Sequence, residues 1–156
     1  MRSLLGLCLA VNAFALGQAR YIANVNAQGS FPLVHNKSAA AIYVDSADYV
    51  GVARAASDLA TDVARVTGAS AAQVHDDKNL GANAVIAGTI GKSALIDRLI
   101  REGKIDVTQV KDKWEAFLIQ TVARPLPGVA SALVIAGSSG VQPSYLGPPE
   151  SYRANR

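Results

Sequence analysis

The sequence predicts an α/β fold: a small mixed, mainly parallel sheet flanked by helices, with a C-terminal antiparallel strand pair. Two observations carry this expectation. A short β-prone apolar run followed by a segment of helical periodicity occurs twice, which implies parallel strands joined by crossover helices. Nearer the C-terminus, two more β-prone runs are separated by a connection too short to hold a helix, so they read as antiparallel neighbours at one side of the sheet.

The first strand-like run covers residues 39–44 (AAAIYV). Asp45-Ser46-Ala47-Asp48 then offers several helix-capping side chains. In the following helix Tyr49, Val52, Ala56, Leu59, Val63 and Val66 recur at spacings of three and four. Arg54, Asp58, Asp62 and Arg65 fall on the other face, with Arg54 and Asp58 spaced to pair. Gly68 supplies the left-handed residue that ends the helix.

A second strand is expected over residues 83–88. Ser93 is expected to cap a helix whose inner face is Leu95, Ile96, Leu99 and Ile100, and Gly103 to stop it. Residues 104–113 (KIDVTQVKDK) read as a polar turn or short helix. Residues 114–122 (WEAFLIQTV) and 132–136 (ALVIA) form the last two strands, with Arg124-Pro125-Leu126-Pro127-Gly128 turning the chain between them.

The ends differ from this body. Arg2 precedes an apolar run over residues 4–16 broken only by Asn12, and Gly17-Gln18-Ala19 places small residues before a cut. That is the pattern of a secretory signal peptide, and the run is too short to span a bilayer. The chain therefore divides into a signal peptide at 1–19, an N-terminal segment at 20–30, an α/β domain at 31–138 and a disordered divergent tail at 139–156, in which three prolines and no periodicity appear. Cleavage after Ala19 removes Cys8, the only cysteine, and with it any disulfide or thiolate site. It also removes Arg2, so the 15 basic residues become 14 against 12 acidic ones, and the formal charge falls from +3 to +2. The basic residues are scattered rather than striped, which excludes a nucleic-acid or membrane-surface signature. Asn36-Lys37-Ser38 is a sequon, which makes Asn36 a candidate N-glycosylation site on the secretory route.

Three motifs invite a chemical reading. Gly91-Lys92-Ser93 follows a strand and opens a helix, as a phosphate-binding loop does. That loop needs a glycine six residues before its lysine so that a long arc of N–H groups can surround the phosphates. Ile86 stands there, and Gly88 leaves the arc two residues too short, so the stretch reads as a tight turn capped by Ser93. His75-Asp76-Asp77, with His35 elsewhere, lacks metal-ligand spacing and reads as a polar loop. Asp45 and Asp48 follow the C-terminal end of a strand, where α/β proteins place ligands. Their position before a long helix favours capping over substrate contact. No catalytic, cofactor-binding or metal-ligating residue is assigned.

Taken together, FPLVHNKSAAAIYVDSADYVGVARAASDLATDVARVTG, VIAGTIGKSALID, KWEAFLIQTV, PLPG and ALVIAGS closely resemble the N-terminal domain of glycoside hydrolase family 115, the xylan α-1,2-glucuronidases, over residues 31–138. The resemblance implies secretion and inverting hydrolysis of glucuronic acid or its 4-O-methyl ether from xylan, with no cofactor. In that family a large (β/α)-barrel after this domain carries the catalytic carboxylates. A barrel of about 250 residues has no room in a chain of 156. After Ser138 the family pattern continues through a lysine-arginine-glycine stretch into a helix, whereas this sequence gives SGVQPSYLGPPESYRANR. No catalytic residue is carried over. The expectation is a secreted accessory domain, inactive by itself, whose faces toward the absent parts are exposed. The alternative is a small secreted carbohydrate-binding or interaction module. Against it stands the scarcity of aromatic platforms, Trp114 being expected to begin a core strand.

Overall fold

A computed structural model describes residues 22–23 and 29–139. The signal peptide expected at 1–19 and nearly all of the tail expected at 139–156 lie outside the described residues. Among the described residues nine elements follow one another. A hairpin of β1 (Val34–His35) and β2 (Ser38–Ala39) is followed by β3 (Ala41–Val44), α1 (Val50–Thr67), β4 (Gln73–Val74) and β5 (Asn83–Thr89). The chain continues through α2 (Ala94–Arg101), β6 (Phe117–Ala123) and β7 (Ser131–Gly137). The main sheet has the order β4-β3-β5-β7-β6. Its first four strands are parallel, and β6 runs antiparallel to β7 at the edge. The sheet is mixed and mainly parallel, as the sequence predicts.

Local chemistry sets the helix ends. Gly68 at φ 72° ends α1 by donating from its N–H to Ala64 O at 2.8 Å. Ser93 caps α2, its hydroxyl accepting from Ile96 N at 3.4 Å. After α2, Gly103 at φ 64° lets its own N–H reach Ile100 O and that of Lys104 reach Leu99 O, the paired closure of a Schellman motif. Capping of α1 departs from expectation. Its N-cap is Tyr49, which makes no side-chain cap, and Asp45 and Asp48 turn elsewhere. The ion pair on its outer face joins Arg65 to Asp62 at 2.7 Å rather than Arg54 to Asp58.

The two helices lie on opposite faces of the sheet. Leu95, Ile96 and Leu99 of α2 pack with Tyr43, Ile86, Ala132, Val134 and Ala136. Ile105, Val107 and Val110 join them, so the stretch read as a polar turn supplies three core side chains. On the other face Val52, Ala56 and Leu59 of α1 meet Ile42, Val44 and Val85. The expected inner face of α1 is right at Ala56 and Val63, but Val66 is 80% exposed.

That second face is only half covered. Contacts of α1 reach β3, β4 and β5. Over β6, Phe117 is 66% and Ile119 57% exposed, and a cavity of about 300 Å³ opens between Val52 and Leu59 of α1 and Phe117, Ile135 and Gly137. Trp114, expected to begin a core strand, sits in a turn before β6 and is 51% exposed. The sequence could not separate the two faces of β6, because its residues are apolar on both.

Among the described glycines, Gly88 is the one that the surrounding structure closes upon. A Cβ there would lie 2.6 Å from Ser93 Cβ and 2.8 Å from Ser93 Oγ, atoms fixed by the cap of α2. Gly88→Ala is therefore expected to lower stability by about 1–3 kcal/mol in urea denaturation, through overpacking at this turn.

Candidate functional site

Open α/β sheets bind ligands beyond the carboxyl ends of their strands, where the chain sends one helix to each face. Here that point lies between β3, which leads to α1, and β5, which leads to α2. The residues around it are Asp45, Asp48, the turn from Thr89 to Ser93, and the first turn of α2.

The Gly-Lys-Ser turn can be judged by where its backbone donors go. Ile90 N–H bonds Gly137 O at 2.9 Å, while Lys92 and Ser93 N–H both turn back to Thr89 O at 3.0 and 2.9 Å. Gly91 N–H donates to Asp97 Oδ1 at 2.8 Å. Thr89 N–H donates to Asp48 Oδ2 at 2.7 Å, and Ala94 N–H to Asp45 Oδ2 at 2.9 Å. Every N–H from Thr89 to Ala94 thus has a partner within the chain. A phosphate would need those donors and would meet three carboxylates in their place. The Lys92 ammonium lies over the Tyr49 ring, 5.2 Å from its centroid. The turn is architectural.

Asp45 and Asp48 cap nothing through α1 beyond the single bond from Tyr49 N–H to Asp48 Oδ1 at 2.7 Å. Asp45 Oδ1 accepts locally from Ala47 N–H at 2.9 Å, while the Oδ2 atoms of Asp48 and Asp45 cross to β5 and α2, so Asp45 supports the start of α2 from 49 residues away. The Asp45 carboxyl is held below the usual carboxylate range, most of all by the N–H of Ala47 and further by those of Ala94 and the Tyr43 hydroxyl, against the opposing pull of burial. Tyr43 is buried, and its hydroxyl lies 3.5 Å from Asp45 Oδ2. Burial foremost, then the charges of Asp45 and Asp77, push its phenol up to about 12.

Beside this clip, on the α2 face, an open cavity of about 470 Å³ is lined by Tyr43, His75, Asp77, Lys78, Arg98 and Arg101 among others. His75 Nδ1 lies 2.8 Å from Val44 O, and since a carbonyl only accepts, that nitrogen carries the hydrogen. Arg98 donates to Asp77 Oδ2 at 3.2 Å, and its Nε lies 3.3 Å from Glu102 Oε1 without hydrogen-bond alignment. Of the basic groups lining the cavity, Arg98 is the one that forms an ion pair among the described residues, with Asp77. Among the described residues no three His, Cys, Asp or Glu side chains gather as metal ligands, and His35 stands apart on the β1–β2 hairpin. Sequence reasoning singled out His75, Asp76 and Asp77 but missed Tyr43, Arg98 and Arg101. Their signal was available in part, since Tyr43 precedes a strand end, and Arg98 and Arg101 share one side of a short helix.

Asn36 occupies the tip of the hairpin. It and Lys37 are exposed with φ 49° and 61°, the two left-handed residues of a type I′ turn. Among the described residues no helix is long and apolar enough to cross a membrane. Compared with family models and with curated proteins, the chain matches none.

Asp45→Ala should leave the backbone N–H groups of Ala47 and Ala94 without their carboxylate acceptor and lower stability by about 1–2 kcal/mol at neutral pH. Because folding depresses the Asp45 pKa, its contribution is present above the unfolded carboxyl range and lost as pH falls through the folded pKa. Denaturation of wild type and variant should therefore differ near neutrality and converge in acid.

Proposed function

We propose that this chain is a secreted, non-catalytic α/β accessory domain of the kind that precedes the barrel in xylan α-1,2-glucuronidases. The observation that carries this reading is the uncovered apolar edge at β6, where Phe117 and Ile119 stand in solvent beside the cavity along α1. An exposed apolar patch on a folded domain marks a surface that packs against something further. In the proposed setting that something is the remainder of a larger hydrolase.

Two features support the assignment. The ordered set of motifs over residues 31–138 resembles the N-terminal domain of that family in order and spacing. The carboxylates nearest the ligand-binding end of the sheet are committed to backbone N–H groups, which leaves them unsuited to protonating a glycosidic oxygen or activating water. Asp77, in the adjoining cavity, is engaged by Arg98.

One observation favours the alternative of a carbohydrate-binding module. Trp114 is half exposed rather than buried in a strand, so it is available as a stacking platform for a sugar ring.

Incubated with glucuronoxylan, the purified chain should release no glucuronic acid; measurable release that survives repurification overturns the non-catalytic reading. Titration with xylo-oligosaccharides while following Trp114 fluorescence separates the two readings. A flat response supports the accessory domain, and a saturable shift supports the binding module.

A further inference from the structure

The edge of the sheet at β6 carries a second kind of surface, independent of the hydrolase reading. Ser138 N–H donates to Ala116 O and Arg124 N–H to Ala130 O, at 2.8 and 2.9 Å, one at each end of the β6–β7 pairing. The register places Phe117 opposite Gly137 and Ala123 opposite Ser131. In an antiparallel ladder, bonded and non-bonded pairs alternate, so even-numbered residues 116–124 aim their backbone groups at β7. The N–H and C=O groups of Phe117, Ile119, Thr121 and Ala123 therefore point away from the sheet. All four residues are exposed, and among the described residues no strand pairs with this edge.

Soluble proteins blunt such edges with charge, proline, a bulge or shortness. The segment FLIQTVA is seven residues long and has no charge, proline or glycine. We infer that β6 is a self-association strand that pairs antiparallel with β6 of a second copy about a two-fold axis through Gln120.

The register follows from the backbone. Centring on Gln120 sets Phe117 opposite Ala123 and Ile119 opposite Thr121 of the other copy. Each of these pairs joins two residues whose free groups face outward, so every free donor on the edge meets an acceptor. A shift by one residue would set outward groups against inward ones. The ladder is confined to Phe117–Ala123, because Glu115 and Arg124 just outside it take up positive φ of 48° and turn the chain out of the strand at each end. On the uncovered face it joins the two Phe117 and Ile119 patches into one. A second copy fits this edge because the edge is complementary to itself in hydrogen bonding and apolarity, with no charge along its seven residues to oppose the pairing.

The test uses the whole chain in a dilution series by sedimentation velocity, with residue-resolved hydrogen exchange at both ends of the series. The expected result is a concentration-dependent dimer in which the amides of Phe117, Ile119, Thr121 and Ala123 become protected on association, while those of Leu118, Gln120 and Val122 are protected throughout. Thr121→Pro removes one outward N–H per copy and leaves the bonds to β7 in place, so dimerisation should weaken about ten- to hundredfold with an unchanged circular dichroism spectrum. A chain that stays monomeric at all concentrations overturns the inference, whether its outward amides are open or are covered by its own end segments. So does a dimer in which those amides gain no protection.

Discussion

Two carboxylates hold this domain's architecture together. Asp48 accepts from Thr89 N–H and Asp45 from Ala94 N–H, which ties the loop leaving β3 to the turn leaving β5. These strands already lie side by side, but their helices diverge to opposite faces, and nothing in strand pairing fixes where each helix begins. The two bonds do so. Asp45 supplies the negative end partner for the α2 N-terminus, which its own Ser93 cap satisfies only in part. With α2 so placed, Leu95, Ile96 and Leu99 are set over Tyr43 and Ile86, and Arg98 is set toward Asp77.

The clip also decides what the domain is unsuited for. In folds of this type the crevice between the diverging helices is open to a ligand, and anion binding exploits unpaired N–H groups there. This chain fills that position with its own side chains, and the close approach of Gly88 to Ser93 leaves no arc in which a phosphate could sit. The bound carboxylates bring negative charge to the helix N-terminus where a ligand's charge would otherwise be drawn. Tyr43 remains a neutral phenol far into alkali in this setting.

What the crevice lacks in open chemistry, the far side of the sheet offers as surface. One face is closed by α2 and by the turn carrying Ile105, Val107 and Val110, whereas on the other the core under α1 reaches Leu133 and Ile135 of β7 but leaves Phe117 and Ile119 of β6 exposed. The asymmetry follows from sheet order. A helix that connects β3 to β4 must lie over that side, and no second helix among the described residues follows on the same face. Apolar residues on β6 are thus exposed on one face and buried on the other, as Val122 and Ile119 illustrate.

Much of this was legible in the sequence where the cause is local. Periodicity located both helices, Gly68, Gly103 and Ser93 marked their ends, and Ile86 in place of a glycine already disqualified the phosphate loop. Two-residue β4 and the β1–β2 hairpin were too short to leave a pattern, although Asn36 and Lys37 form the hairpin's turn. The destinations of Asp45 and Asp48, the exposure of Trp114, Phe117 and Ile119, and the burial of Val107 and Val110 were decided only by tertiary structure. Each depends on a partner brought close by sheet order, across 49 residues for Asp45 and 41 for Asp48. A sequence window of one helical turn or one strand contains the residues that begin and end an element, but not the groups that its side chains will meet.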